Sequence, residues 1–354
     1  MEKPANRSYS IVLAVSQDPS HTGGENKPAA EFNLLAEKPG VILAGNTGYT
    51  KRCSLLTRIE RSTALDISQA RYILKTYPNA DAYVSFSERV GIPLAMLLRN
   101  RKQRPAHIMI AHRLDTNAKR VMEMLGRWTD GVDRVVTLCT AQQRFGESLF
   151  GSKSRLVLAG LTDDNFYSPS EGEQDTDDYI LSVGSENRDY ETLIEAIGRT
   201  DLELKILSSS PWCRKKKAGL GAVNGRVEFL PRVEYPELRE LYQRARLVVV
   251  PLHDVPYAAG LNGVMEAFCV NKPVIVSSSH GISDYVKHMH NAYVVPVSSV
   301  NDMVAALTTV HNDRVLQSRL KTGTIQAVRE YANLRTYTAR LGSEILDSIV
   351  ERVV

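Results

Sequence analysis

The chain has 354 residues, of which 43 % are hydrophobic and 24 % charged, and its formal net charge is +4. This length accommodates two domains of ordinary size, and the composition is that of a globular protein. No run of apolar residues is long enough to span a membrane, and the first residues lack an apolar signal segment. We therefore expect a cytoplasmic protein.

The charge is unevenly distributed along the chain. Residues 1–170 contain 23 Lys and Arg against 16 Asp and Glu, whereas residues 171–354 contain 21 against 24. A basic first half suits an anionic acceptor or the inner face of a membrane, and an ordinary solvated surface rich in arginine is an equal alternative. Nothing in the charge pattern indicates nucleic acid as a partner.

Cysteine and histidine spacing indicates no metal site. The four cysteines are scattered without CxxC spacing, and we expect Cys139 and Cys269, which lie in apolar runs, to be buried free thiols. His288 and His290 form a short HxH pair with no third ligand evident. We expect no obligatory cofactor.

Strands and helices alternate through the first half of the chain, which predicts a doubly wound parallel sheet. The predicted strands are Tyr9–Val15, Gly40–Gly45, Ala80–Phe86, His107–His112, Arg134–Cys139 and Ser154–Gly160. The predicted helices between them are Ala64–Tyr77, Val90–Arg101, Ala118–Leu125 and Ala141–Phe150. A polar stretch, Ser168–Asp178, is typical of a linker.

The alternation then restarts, which predicts a second Rossmann-like sheet. Its strands are expected at Tyr179–Val183, Glu203–Leu207, Arg226–Leu230, Leu247–Leu252, Pro273–Ser277 and Ala292–Val297. We predict an α/β protein with two Rossmann-like doubly wound domains facing a central cleft. The domains are residues 1–167 and 179–333, joined by linker 168–178 and followed by a last helix, 334–354.

The most informative stretch runs from Gly260 to Tyr285. A β-branched strand is followed by a loop rich in Pro, Ala and Gly, and a helix is predicted to start near Asn262, a good N-cap residue. Free N–H groups at Leu261, Asn262 and Gly263, with the helix dipole, favour a phosphate, and the glycines allow close approach. Glu266, placed in the first helical turn, could accept hydrogen bonds from a sugar diol or merely complement the dipole.

This stretch, G-x-N-G-V-M-E-A-F-x-x-x-K-P-V-I-V followed by S-x-G-I-x-D-Y-V, resembles the signature of the retaining, two-domain glycosyltransferases of the GT-B fold, the "glycosyl transferases group 1" family. The resemblance extends to Gly160–Pro169, which is similar to the family's link between domains. It implies that Glu266 binds the ribose of the donor nucleotide. It also implies that Gly260, Leu261, Asn262 and Gly263 hold the diphosphate and the donor sugar. By the same resemblance, the first domain binds the acceptor, the second binds the nucleotide sugar, and the last helix packs back toward the first domain.

Other donor contacts are implied by position in the family pattern. The loop after the Tyr179 strand usually clamps the diphosphate through an Arg and a Lys. Here Gly184 is followed by Ser185 where the Arg is expected, and Asp189-Tyr190 stands where Lys-Gly is expected. We therefore expect Arg188 to bind the diphosphate in their place; the alternative is that it is a surface arginine.

Two more contacts follow from the same resemblance. Arg232 and Val233 match the stretch that contacts the nucleobase, although Arg232 alone could be an ion-pairing residue. His112, at the end of a strand, matches a family histidine that contacts the donor sugar and supports catalysis, against the alternative of a satisfied histidine at a strand end. Lys215, Lys216 and Lys217 are a further cationic run, more typical of a solvated surface.

One position departs from the pattern. Ala258 stands where the family often has the first Glu of an E-x7-E pair, beside the donor sugar. The leading hypothesis is a hexosyltransferase-type enzyme that uses a UDP- or GDP-sugar and a glycan, lipid-linked or small-molecule acceptor. The alternatives are a non-catalytic GT-B partner protein and a nucleotide-sugar epimerase.

Overall fold

The computed structural model describes residues 9–46, 54–101, 103–169, 177–208 and 225–353. Among these residues the chain divides into two compact units. The first comprises Met1–Gly23, Ala30–Val157 and Tyr337–Val354, and the second comprises Gly24–Ala29 and Leu158–Thr336. Of the predicted linker, residues 170–176 lie outside the described residues, as does the Lys215–Lys217 run.

The first unit is built on a six-stranded parallel sheet in the order β2-β1-β3-β4-β5-β6. The strands are β1 Ile11–Ala14, β2 Val41–Ala44, β3 Ala82–Ser85, β4 Ala106–Ala111, β5 Arg134–Thr137 and β6 Ser154–Leu156. The helices are α1 Glu31–Ala36, α2 Ser54–Thr63, α3 Ile67–Thr76, α4 Glu88–Leu98, α5 Asn117–Gly126 and α6 Thr140–Phe150. All six predicted strands are present. Five are shorter than predicted, and β4 has the predicted length but begins and ends one residue earlier.

The second unit repeats this plan with the strand order β12-β11-β10-β7-β8-β9, again all parallel. The strands are β7 Tyr179–Val183, β8 Glu203–Leu207, β9 Val227–Leu230, β10 Leu247–Val250, β11 Val274–Ser277 and β12 Tyr293–Val295. The helices are α7 Tyr190–Gly198, α8 Tyr235–Arg244, α9 Leu261–Cys269, α10 Val300–Asn312, α11 Arg314–Glu330 and α12 Leu334–Val353. From Tyr337 onward, α12 is counted with the first unit.

The central strands of both sheets are buried on both faces, which is why they are mostly apolar runs. Every residue of β10 and β11 is buried. In the second unit, β7 and β10 pack with α7 and α10 around one core that includes Ile180, Leu193, Val249 and Leu307. The predicted doubly wound fold is therefore confirmed.

The end of α12 is anchored in the first unit by Arg134, the first residue of β5. This arginine is 3 % exposed in its side chain and forms ion pairs with Glu344 at 3.1 Å and Glu351 at 2.7 Å. Its Nε also donates to the Ser348 hydroxyl at 3.1 Å. A nearly buried guanidinium with three partners fixes the register of the last helical turns.

The structure also bears on the predictions about the cysteines and about membrane-spanning segments. Cys139 and Cys269 are buried free thiols, as expected. Burial raises the pKa of the Cys269 thiol above its ordinary value. Within the described ranges, no helix is long and apolar enough to cross a membrane.

Candidate functional site

The strand order of the second unit changes direction between β7 and β10. The chain runs from β7 outward to β9 and then returns to place β10 on the other side of β7. At such a switch point the loops at the carboxyl ends of the two strands diverge and leave a crevice, the usual ligand site of a doubly wound sheet. A backbone bridge between Arg188 and Leu252 joins the two loops.

Helix α9 begins at this crevice. Its N-cap is Gly260, which adopts a left-handed conformation with φ of 84° and offers no side-chain cap. The prediction that Asn262 is the N-cap was wrong, because the left-handed turn at Gly260 lets the helix start at Leu261. As a consequence Glu266 lies in the second helical turn and was misplaced in the first.

Three backbone donors are free at the start of α9. The first intrahelical bond is made by the N–H of Val264 to the carbonyl of Gly260 at 3.2 Å. The N–H groups of Leu261, Asn262 and Gly263 donate to no described residue. Gly260 must be glycine here, since its left-handed φ disfavours a side chain and a Cβ would lie 2.8 Å from Leu252. Free N–H groups at the positive end of the helix dipole form an anion site.

Arg188 lies against this helix end. Its Nε donates to the carbonyl of Val183 at 3.2 Å, and its Nη1 donates to that of Glu186 at 2.9 Å. Its Nη2 makes no hydrogen bond to a described residue, and it lies 3.5 Å from the point where a Cβ on Gly263 would stand. The guanidinium passes directly over Gly184, where any Cβ would be 2.6 Å from Nη2. Gly184 thus makes room for the arginine.

Glu266 is partly buried at the same end of α9. The hydroxyl of Tyr242, from α8, donates to its Oε2 at 2.8 Å. The other oxygen, Oε1, accepts no hydrogen bond from a described residue. Burial raises the pKa of Glu266 to about 7, and the Tyr242 hydroxyl and the charge of Arg188 oppose that shift.

A second tyrosine hydroxyl is buried beside this carboxylate. Tyr167 is 1 % exposed, and its hydroxyl makes no hydrogen bond of ordinary geometry among the described residues. Burial, and then the charge of Glu266, raise the pKa of Tyr167. The rings of Tyr167 and Tyr242 pack edge to face, with centroids 6.2 Å apart. The two rings thus pack together beside Glu266.

The remaining predicted donor residues lie on the same edge of the sheet. Ser185 follows β7 and is exposed, and Arg232 and Val233 follow β9 in a loop where Arg232 is exposed and Val233 partly buried. Asn262 is exposed at the start of α9. Because parallel strands end at one edge, these loops border the crevice that Arg188 and Glu266 line.

The Asp189 position, where the family pattern has Lys, has a structural role in this chain. The Asp189 carboxylate caps α7 by accepting from the N–H of Thr192 at 3.1 Å and from its hydroxyl at 2.7 Å. The hydroxyl of Ser298 donates to the same carboxylate at 3.1 Å. A buried carboxylate with these partners stabilises the helix start and leaves Arg188 as the cation of this loop.

His112 belongs to the first unit. It follows β4, its side chain is exposed, and its Nε2 lies 2.9 Å from the carbonyl of Phe86, to which it donates. Burial raises the pKa of the neighbouring Glu31, and the charge of His112 opposes that shift. Phe86 follows β3, the neighbour of β1 where this sheet changes direction. His112 is thus fixed next to the switch point of its own sheet.

One of the two histidines considered for a metal, His288, has other side-chain contacts. Nδ1 of His288 accepts from the N–H of Val294 at 3.0 Å, and its ring packs edge to face on Tyr293. Among the described residues, no group of three or more His, Cys, Asp and Glu side chains is arranged to hold a metal ion.

Sequence reasoning missed Tyr242 and Tyr167. Both are tyrosines in otherwise apolar or amphipathic surroundings, and nothing in their spacing indicates contact with Glu266. Tyr242 lies 24 residues before Glu266 in the chain, and the contact exists because α8 and α9 flank the same strand, β10.

Comparison with known proteins agrees with this geometry. Residues 163–327, just under half of the chain, match the family "Glycosyl transferases group 1". The matched region contains Arg188, Tyr242 and Glu266. The resemblance predicted from the sequence is therefore confirmed, and with it the prediction of a glycosyltransferase. No protein of curated function matches the chain by sequence.

Solved structures share the fold along nearly the whole chain. Sucrose-phosphate synthase from Thermosynechococcus elongatus superimposes with a TM-score of 0.70 at 17% identity, covering 94% of this chain and 98% of that one. HepE from Anabaena, solved with UDP, has a TM-score of 0.70 at 12% identity, covering 96% and 100%. The catalytic domain of starch synthase IV from Arabidopsis thaliana, bound to ADP and acarbose, has a TM-score of 0.71 at 10% identity, covering 97% and 100%. At these identities the likeness confirms the GT-B fold.

Proposed function

We propose that this chain, whose residues 163–327 match the glycosyl transferases group 1 family, is a retaining glycosyltransferase. It moves a hexose from a UDP- or GDP-sugar to a glycan, a lipid-linked intermediate or a small molecule. The observation that carries the proposal is the convergence of three unsatisfied groups at one end of α9. These are the free N–H groups of residues 261–263, Nη2 of Arg188 and Oε1 of Glu266.

The first two groups suit the diphosphate. When the bond between the sugar and the diphosphate breaks, negative charge grows on the departing phosphate oxygen. Arg188 Nη2 and the N–H groups at Asn262 and Gly263 are fixed beforehand, so they stabilise that charge without reorganising. Burial lowers the pKa of Arg188, which reflects the cost of holding this cation without a bound anion. A diphosphate in the crevice would remove that cost.

The third group suits the ribose. A carboxylate that already accepts one hydrogen bond from Tyr242 presents its Oε1 in a fixed direction. It can accept from the hydroxyls of a ribose about one helical turn away from the phosphate groups. Charge-assisted bonds of this kind are about twice as strong as neutral ones. Arg232 and Val233, in the loop after the edge strand β9, are proposed to contact the base.

Charge stabilisation by Arg188 and the helix end leads us to propose turnover without a divalent metal. Equal rates with magnesium and with EDTA would agree with this. A rate that requires magnesium would show that Arg188 does not supply the necessary charge.

The ligands in solved structures of similar proteins support a nucleotide-sugar donor. HepE was solved with UDP and with UDP-glucose, and the starch synthase domain with ADP. The excess of basic residues in the first half of the chain supports an anionic or lipid-linked acceptor, and contact with a membrane surface is part of the same proposal. His112, at the switch point of the first sheet, is proposed to contact the donor sugar.

The test is the product. The protein is incubated with UDP- and GDP-hexoses and with candidate acceptors, and NMR follows the anomeric proton of the sugar. A transferred sugar with the anomeric configuration of the donor is expected. An inverted product would refute the retaining mechanism, and an isomerised nucleotide sugar would indicate an epimerase.

A second candidate is a non-catalytic GT-B partner that binds nucleotide without transfer. Ala258, in place of the glutamate often found beside the donor sugar, favours it, as does the replacement of the second loop cation by the helix cap Asp189. Nucleotide binding with no transfer and no slow hydrolysis of any sugar nucleotide would support this candidate.

A further inference from the structure

Four cations gather at the opposite edge of the second sheet, where its strands begin. Arg246 directly precedes β10, and Lys272 lies two residues before β11. The two strands are parallel neighbours, with Val248 paired to Val274. Arg246 and Lys272 each precede their paired valine by two residues, so they stand side by side at this edge.

Helix α11 brings the other two cations. Arg314 and Lys321 are seven residues apart, close to two full turns, so they share one face of the helix. The hydroxyl of Thr324, three residues after Lys321, donates to Oδ1 of Asn271 at 2.9 Å. That bond holds this turn of α11 next to Lys272.

Helix α11 and Arg246 both bond to the backbone carbonyl of His311, which keeps the helix next to Arg246. Nε2 of Gln317, on α11, donates to the carbonyl of His311 at 2.9 Å. Nη2 of Arg246 donates to that same carbonyl at 3.1 Å. The four cations Arg246, Lys272, Arg314 and Lys321 are therefore held together by direct bonds between their elements, and we call them the amino-edge cluster.

Two members of the amino-edge cluster have a side-chain nitrogen atom without a partner among the described residues. Lys272 is 6 % exposed, yet within the described residues it forms no ion pair and its ammonium makes no hydrogen bond. The Nε of Arg246 is buried and has no acceptor among those residues. Burial and the nearby charge of Lys321 lower the pKa of Lys272 to about 8. Burial, then Arg314 and Arg246, likewise lower the pKa of Lys321.

The carboxylates nearby do not balance this charge. Asp178 lies 3.9 Å from Nη1 of Arg246, but its side chain is 74 % exposed and its Oδ1 is also 3.0 Å from Nε2 of His311. Asp313 is occupied as the cap of α11, since it accepts from the N–H of Leu316 at 2.9 Å. Buried charges that lack a counter-charge are costly, and a multivalent anion would offset that cost.

We propose that the amino-edge cluster binds a small phosphate-bearing anion, at a site separate from the crevice at the carboxyl edge. Lysine and arginine are the side chains that recognise phosphate, arginine through its planar fork and lysine as a point charge. The planar guanidinium of Arg246, whose side chain is partly exposed, supplies directed donors, and Lys272 and Lys321 supply charge. The proposal stands independently of the transferase activity.

Calorimetry with inorganic pyrophosphate tests this, using full-length Arg188→Ala protein so that the candidate donor site binds the probe more weakly. Ionic strength is held constant with chloride. We expect one saturable site, and Lys272→Met or Lys321→Gln added to this background should weaken it by about tenfold or more, the loss of one charge-assisted contact. Lys287→Gln, an exposed lysine of the same unit outside the cluster, is the matched control and should leave affinity unchanged.

Lys321→Gln is the decisive variant, because its side chain is only partly buried and its replacement should not prevent folding. Thermal denaturation without ligand confirms that each variant is folded. Absence of saturable pyrophosphate binding in the Arg188→Ala protein would overturn the proposal. So would binding that Lys321→Gln and Lys287→Gln reduce equally, since that would be a non-specific charge effect.

Discussion

Replacing Tyr242 by Phe removes one hydroxyl group and leaves the buried ring in place. In the structure that hydroxyl donates to Oε2 of Glu266 at 2.8 Å and helps to keep the carboxyl ionised. A hydrogen bond to a charged group is worth about 1.5–3 kcal/mol. Since one pKa unit corresponds to about 1.4 kcal/mol, the pKa of Glu266 should rise by about 1–2 units above its value of about 7.

The consequence for ligand binding follows from the fraction ionised. At pH 7.5 a carboxyl with a pKa of about 7 is roughly three-quarters ionised, whereas one with a pKa of 8–9 is about 3–25 % ionised. If the ionised form binds the ribose diol, Tyr242→Phe should weaken nucleoside diphosphate binding by about 3- to 25-fold at pH 7.5. The loss should vanish near pH 10, where both proteins are ionised.

The assay is calorimetric titration of UDP or the preferred nucleotide between pH 6 and pH 10. Affinity should fall as the pH is lowered, and the midpoint of this fall should lie at a higher pH in Tyr242→Phe than in the wild type. At high pH the two proteins should bind with the same affinity. Tyr167→Phe is the control, because its hydroxyl makes no well-formed bond to Glu266 and its removal should shift the midpoint less. Identical pH profiles for the wild type and Tyr242→Phe would refute the reasoning.

Three further predictions follow from the geometry. Arg188→Ala should weaken the binding of UDP by about 1.5–3 kcal/mol and leave the binding of uridine unchanged in calorimetry, because Arg188 is proposed to contact the phosphates. Equal losses of affinity for UDP and uridine would show that Arg188 is not part of the phosphate site. His112→Ala should lower kcat much more than donor affinity in steady-state kinetics, and full turnover would mean that His112 has only a structural role. Gly260→Ala should lower the free energy of unfolding by about 1–2 kcal/mol from its left-handed φ alone, and lower the Tm. Gly198→Ala should not lower the Tm, because a Cβ there would meet no atom within 4 Å.

The sequence predicted the fold because the central strands are buried on both faces. Runs such as Leu247–Val250 and Val274–Ser277 are mostly apolar and β-branched, and the turns between them contain glycine and proline. In the first unit, two helices of the structure were not among the predicted ones. α1, Glu31–Ala36, is too short for a periodic pattern, and α2, Ser54–Thr63, is mostly polar.

The candidate site was only partly predictable. Gly260, Gly263 and Glu266 belong to one contiguous motif, so the sequence alone places them together. Tyr242 is brought to Glu266 by helix packing, and the amino-edge cluster is formed by residues from β10, β11 and α11, so neither leaves a local signal. The N-cap was misassigned because Asn262 has a better capping side chain than Gly260, and left-handed geometry at a glycine outweighed that preference.

The central claim is that the start of α9 binds the diphosphate and ribose of a nucleotide. Calorimetric titration of UDP, GDP, ADP and TDP into the wild type and Glu266→Ala, at pH 8 without metal and then with magnesium, tests it most directly. We predict micromolar binding of one diphosphate, weakened by about 1–3 kcal/mol in Glu266→Ala. Absence of binding by all four, or equal affinity in Glu266→Ala, would contradict the account.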